Sequence, residues 1–353
     1  MSEIKVNSIK GVGASTAAIT VNNTDGTCTA NLSNRQGKNL IINGAMQCAQ
    51  YGSSYTGGGY ATVDRFFVDY AGLDEAPTQA QVDVASGTTP YTSGFRKAWK
   101  ITNGNQTSGA GAADIFYIAQ VIEAQNIAQS GWNYTSSSSN ITLSFWIKSS
   151  VAQTFKGNLR TEDGTAQIYH FETGSLTADT WTKITKTIPG NSNLQFDNNN
   201  AAGLRLIIVP FSGTDFTASS AVENAWQAYS AGIFAGKDNT STWYTTNDAT
   251  LEITGVQLEV SDHATSFEFL SFAQELALCK RYFHNFSGTT YAVDHGVNSF
   301  SIFPFHTEMR ANPTVTGTFL NGNTNYSSVM RGMYYHNGNG SNAQNVTFSA
   351  ELT

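Results

Sequence analysis

Aromatic side chains in polar loops are the residues here best suited to hold a ligand. Trp132 and Tyr134 lie in the run GWNYTSSSSN, and Trp243 and Tyr244 in DNTSTWYTTND. Tyr334, Tyr335 and His336 lead into the Gly/Asn-rich stretch 337–341. Sugar rings present apolar C–H faces on which an aromatic plane can stack, while Asn, Gln, Asp and Ser beside it bond the hydroxyls. The spacing therefore marks these seven as candidate glycan contacts, with the last three at a distal tip, because loops at the end of a rigid sheet commonly carry recognition. For the first four the competing reading is loop packing or a subunit contact. Trp181 begins a strand at an inward phase and reads as core. Trp146 reads as packing against a second layer.

Catalysis has thin support. Glycoside hydrolysis needs two carboxylates flanking a sugar. The candidates Asp64, Asp69, Asp74, Glu75, Glu123, Glu162, Asp163, Asp179, Asp215 and Glu223 form no distinctive pair in sequence. Glu162-Asp163-Gly164 reads as a hairpin with a type I′ turn, and Glu123 as a helix-surface or capping residue. The histidines at 170, 263, 284, 295, 306 and 336 adjoin no Gly-x-Ser-x-Gly elbow. A metal site from His284, His295, His306 and His336 would require them to converge about a threefold axis, and the simpler reading is exposed histidines. Cys28, Cys48 and Cys279 are odd in number and widely spaced, without a Cys-x-x-Cys or Cys/His zinc pattern, and read as free thiols. The expectation is a non-enzyme with no cofactor, leaving room for a structural calcium ion held by loop oxygens.

Composition narrows the class. Charged residues make up 13% of the 353, and 19 Lys plus Arg against 26 Asp plus Glu give a net charge of −7. An average domain has about 25% charged residues. Asparagine alone outnumbers lysine and arginine together. A basic nucleic-acid face is therefore not expected. At 40% hydrophobic and 12% aromatic the chain is not of disordered composition. The first 20 residues lack a signal-peptide pattern, and with no run of 18 apolar residues no membrane insertion is expected.

These residues must be positioned by strands. Residues 1–38 hold short alternating runs broken by glycine, too few to bury a core alone. They must pair with other copies or dock on a larger body. Residues 39–270 carry many short strands at turn-punctuated intervals, as in a jelly-roll β-sandwich. Leu143, Phe145 and Ile147 face one way, with Ser144, Trp146 and Lys148 opposite. Helical spacing of Ile118, Val121, Ile122 and Gln125 predicts a turn or two of helix over 118–128. Ser271 and Gln274 form a capping-box signature for a short helix, which runs into a strand at 281–284 and opens a small C-terminal β domain over 271–353. The fold class is all-β.

The ordered set EIKVNSI, STAAITV, NLIINGAMQ, YATVDRF, AQVIEAQNIAQSGW, NITLSFWIKSS, DTWTKITKTIPG, ITGVQLEVSDHATSFEF, ELALCKRYF and FPFHTEMRANPTVT resembles bacteriophage tail-fibre or receptor-binding structural proteins of the marine-phage type, over essentially the whole chain. Cys-Lys-Arg at 279–281 departs from a more usual Cys-Gln-Arg. The resemblance implies a virion appendage, made in the host cytoplasm and homotrimeric. Residues 1–38 would attach it to tail or head proteins through Ile4, Val6, Ile9, Ile19 and Val21. The carbohydrate-binding-like jelly roll would form the body and bind host-surface polysaccharide. A scaffold protein without a receptor and a polysaccharide depolymerase are the alternatives.

Overall fold

A computed structural model describes residues 6–12, 19–21, 24, 28–30, 37–293, 299–305, 307–320, 326–337 and 341–352, some of the later strand residues as backbone only. The fold is nearly all β, in antiparallel sheets. At the N-terminus β1 (Ser8–Ile9), β2 (Ile19–Val21) and β3 (Cys28–Ala30) form a small sheet.

The body is a jelly-roll β-sandwich. Chain order runs β4 (Ser54–Thr56), β5 (Phe67–Ala71), β6 (Thr78–Asp83), α1 (Thr89–Thr92), β7 (Lys97–Thr102), β8 (Ile115–Glu123), α2 (Ala124–Ala128), β9 (Asn140–Ser149) and β10 (Thr154–Thr161). It continues with β11 (Gln167–Ser175), β12 (Thr182–Pro189), β13 (Ala202–Ser212), β14 (Trp226–Ala228), α3 (Thr242–Thr245) and β15 (Thr250–Val260). The front sheet has the order β14-β11-β10-β13-β8-β5, and the back sheet β12-β9-β15-β7-β6-β4. Period-two alternation fills the space between them. Phe116, Ile118, Leu204, Leu206 and Ile208 from the front meet Leu143, Phe145, Ile147, Trp99 and Leu251 from the back, all buried. A bulge at Gly255 (φ +64°) shifts the register of β15 between Thr254 and Gln257, which keeps Ile253 and Leu258 both inward.

Some local expectations change. Residues 115–123 are strand, and only Ala124–Ala128 are helical. The alternation of this segment is masked because its outward Ala119 and Val121 are apolar and buried as well as its inward residues, so the run looks apolar all round. Only Gly164 has positive φ in the Glu162–Gly164 connection, so it is not a type I′ turn, which needs positive φ at both central residues. Trp181 sits just before β12 and, with Trp146, half-buries on the outer face of the back sheet near Phe95 and Phe267.

After the sandwich α4 (Phe272–Lys280) opens with the expected capping box between Ser271 and Gln274. Beyond it β16 (Phe283–Val293), β17 (Ser299–Pro304), β18 (Thr314–Leu320), β19 (Tyr326–Val329), β20 (Gly332–Asn337) and β21 (Ser341–Ser349) build two three-stranded sheets, β16-β21-β18 and β17-β20-β19. Their small core contains Met309, Val346, Phe348 and Ala350. This unit is fastened to the sandwich. Arg65 pairs with Glu351, and Arg310 Nη1 donates to Asn200 O at 2.8 Å. Among the described residues no helix is long and apolar enough to cross a membrane.

Candidate functional site

Burial decides the fate of the loop aromatics. Trp132 is 3% exposed, packs on Phe196 and donates from Nε1 to Ser139 O at 3.1 Å. Trp243 and Tyr244 are 0% and 1% exposed. Trp243 packs against Phe116 and Phe155 and donates to Thr250 O, while Tyr244 stacks on Phe211 at 4.2 Å and donates to Asp114 at 2.9 Å. These three are corrected from candidate glycan contacts to core. They join the core between the sheets, and their polar tips are consumed internally. Tyr134 is half-buried edge-on to Phe196. Tyr334, Tyr335 and His336 lie on β20, opposite Ile302, Ser301 and Phe300 of β17, and their side chains lie outside the described residues. Of the expected attachment residues, Ile4 lies outside the described residues; Val6 and Ile9 are 45% and 54% exposed, and Ile19 and Val21 half-buried.

The histidines divide. His284, expected to be exposed, is buried, as is His170 on β11, while His295 and His306 lie outside the described residues. Glu123, expected as a helix-surface or capping residue, occupies the N-cap position of α2 without a side-chain capping bond; it is fully buried at the end of β8 and binds Arg281 and Tyr282. Other carboxylates on the candidate list are likewise engaged: Asp64 with Gln50, Asp74 with Ser108, Asp163 with the Asp197 amide.

A different surface gathers aromatic and polar groups, namely the outer face of the front sheet. Strand register builds it row by row. Asp69 of β5 lies opposite Tyr117 of β8, whose hydroxyl donates to Asp69 Oδ2 at 2.5 Å. Burial pushes the Tyr117 hydroxyl pKa upward, and the bond to Asp69 with its charge adds to this. In a further row Val121, Arg205, Arg160 and Ile168 stand opposite one another across β8, β13, β10 and β11. Two guanidiniums facing each other would repel. Glu162 resolves this, its Oε1 accepting from Arg160 Nη2 at 2.8 Å and from Arg205 Nε at 2.5 Å.

Aromatic rings flank the charged groups. Tyr60, Phe67, Tyr117 and Phe234 form a continuous series with centroid separations of 5.0, 6.1 and 5.0 Å. Arg160 lies over the Tyr229 ring at 4.6 Å. Tyr60, Tyr117, Tyr229, Arg160, Arg205 and Glu162 are all half-buried, so each keeps an accessible edge.

One wall of this face is the segment 213–236, with short 3₁₀ turns at Thr214–Phe216 and Ala231–Ile233. Asn158 Nδ2 donates to Phe234 O at 2.9 Å, and His170 Nε2 lies 2.7 Å from Ile233 O. With its proton on Nε2, His170 donates to that carbonyl, and Nδ1 accepts from Gln227 Nε2 at 3.2 Å. The opposite wall is the C-terminal junction, where Tyr60 donates to Leu352 O at 2.5 Å beside Tyr282. The face is largely covered by a second apolar cluster that includes Phe67, Val121, Val209 and Phe234, and half-buried aromatic rings lie at its surface beside fixed donors and acceptors. Reading 115–123 with period two would have placed Ile115, Tyr117, Ala119 and Val121 on this face.

No protein-family model matches the chain, and no curated protein matches it. Among solved structures it is similar to the enzymatically active domain of tailspike protein 4 of bacteriophage CBA120, at 10% identity and TM-score 0.34. That match covers 63% of this chain and 21% of that one, so the chain spans about a fifth of the tailspike domain. It is also similar to the family 11 carbohydrate-binding module of a cellulosomal cellulase of Clostridium thermocellum, at 11% identity and TM-score 0.28, over 59% and 95% of the two chains. A third similarity is to the N-terminal cellulose-binding domain of Cellulomonas fimi β-1,4-glucanase C, at 11% identity and TM-score 0.30, over 61% and 98%.

Proposed function

We propose that this protein binds a hydroxyl-rich glycan on the outer face of the front sheet, without cutting it, and does so as part of a phage surface appendage. One observation carries the glycan reading: half-buried Tyr60, Tyr117 and Tyr229 lie on one sheet face with Arg160, Arg205, Glu162 and Asp69. The rings offer stacking planes, and the guanidiniums and carboxylates are pinned by one another, so hydroxyls would meet donors and acceptors already in place. The opposed charges nearly balance on this face, which suits a neutral sugar.

The appendage reading rests on the ordered sequence motifs and on the N-terminal strands. Val6, Ile9 and Val12 expose apolar side chains near the N-terminal strands. Three copies wound together would cover them and present three glycan sites, so that weak contacts add through effective concentration.

The test is retardation of the full chain in gels containing host cell-envelope polysaccharides, followed by sizing of each polysaccharide after incubation. Retardation by at least one neutral polysaccharide, with its length unchanged, is the expected result. Shortened fragments would overturn the non-catalytic part, and absence of retardation across the panel the binding part.

A further inference from the structure

A separate cluster lies where α4 docks on the sandwich, away from that face. Cys48 comes from the loop before β4, Asp64 from the loop before β5, and Cys279 from the last turn of α4. Their relative exposures are 1%, 1% and 0%, and one donor atom from each lies within 4.8 Å of the other two. Cys279 is within hydrogen-bonding reach of both Cys48 and Asp64. A tetrahedral site with metal–sulfur bonds of about 2.3 Å and metal–oxygen bonds of about 2.1 Å has ligand–ligand edges of roughly 3.4–3.8 Å. The three donors are therefore spaced for one ion after a small contraction.

The surroundings hold these donors still. Asn43, at φ +61°, accepts from the Cys48 amide at 2.9 Å and donates to Cys48 O and Asp64 O at 2.9 and 3.0 Å. The Gln50 amide and Nε2 hold the two Asp64 carboxylate oxygens at 2.6 and 2.7 Å. Glu275, four residues before Cys279 on the same helical face, is buried and accepts from the Asn43 amide at 2.5 Å. Such outer hydrogen bonds orient metal ligands and set their affinity.

We propose that Cys48, Asp64 and Cys279 bind one thiophilic divalent cation of the zinc type as a structural clamp between α4 and the sandwich. Two sulfurs select a soft or borderline ion over calcium or magnesium. Two sulfur–metal bonds and one oxygen–metal bond form; the two thiol protons, and any proton on the carboxyl, pass to solvent, and no electron is transferred. Burial favours the ion, because two thiolates and a carboxylate in a dry site need a compensating charge.

The test uses the full chain kept reduced and dialysed against Zn²⁺, then metal-free buffer, followed by elemental analysis and replacement of zinc by Co²⁺. One metal per chain and a tetrahedral cobalt–thiolate spectrum are expected. Cys48→Ser with Cys279→Ser should abolish the thiolate bands, and Asp64→Asn should weaken metal binding. No retained metal and no cobalt–thiolate bands in the unaltered chain would overturn the proposal, without depending on any variant folding. So would cobalt binding that survives loss of both cysteines.

Discussion

Glu123 accepts both hydrogen bonds of the Arg281 guanidinium, each at 2.8 Å, although the residues lie 158 positions apart. Tyr282 Oη donates to the same carboxylate at 2.6 Å. The end of a front-sheet strand is thereby locked to the residues that follow α4. Burial opposes the charge on Glu123, but the bonds from Arg281 and Tyr282 outweigh it and hold the carboxyl below the usual range.

Removing one partner should leave a buried charge unpaired. Arg281→Ala is expected to lower stability by about 3 kcal/mol, at the low end for a buried pair because Arg281 is partly exposed. The sign of the acid response follows from the lowered folded value. The contribution of Glu123 is full above its unfolded value of about 4.3 and is lost as pH falls through the lower folded value. Denaturant titrations from neutral to acid pH should show this loss in the unaltered chain and a shallower one in Glu123→Gln.

His170 should make the segment 213–236 sensitive to mild acid. Burial lowers its pKa, so the folded chain holds it neutral where the unfolded chain binds a proton. Stability is therefore lost as pH falls below about 6.5 towards the folded value. Hydrogen exchange in 213–236 should quicken on acidification through that window, and His170→Gln should flatten the response. Exchange that ignores pH in the unaltered chain would contradict the assignment.

Gly255 supplies the bulge that sets the register of β15. A Cβ there would meet the Phe95 ring at 2.6 Å, at a φ that disfavours side chains. Gly255→Ala should cost about 1–3 kcal/mol, from strained backbone and crowding together, measured as a lower midpoint of chemical denaturation.

Light scattering at micromolar concentration should give three times the chain mass. Val6→Asp with Ile9→Asp should shift the protein towards monomer while the sandwich keeps its near-ultraviolet circular dichroism. A clean monomer of the unaltered chain would contradict the trimer.

Much of the frame was legible in the sequence. The clean alternation at 143–148 placed Leu143, Phe145 and Ile147 inside, and Ser271 with Gln274 announced α4. The site was less so. Trp243 and Tyr244 sit among Thr, Ser and Asn, and local polarity concealed a cap that reaches back over the core. Tyr117 was hidden for the opposite reason, because a strand whose outward Ala119 and Val121 are buried as well as its inward residues lacks polar alternation and imitates a helix. The pairing of Arg205 with Arg160 depends on the register of β10 against β13, which no local pattern encodes. Cys48 and Cys279 meet only because α4 folds back on the sandwich.

The most direct measurement of the central claim is calorimetric titration of a retarding polysaccharide into the unaltered chain, Tyr117→Ala with Arg205→Ala, and Trp181→Ala on the back sheet. The account predicts that the double variant, still folded, loses at least tenfold in affinity, while Trp181→Ala binds as the unaltered chain does. Unchanged binding by the double variant, or loss confined to Trp181→Ala, would contradict it.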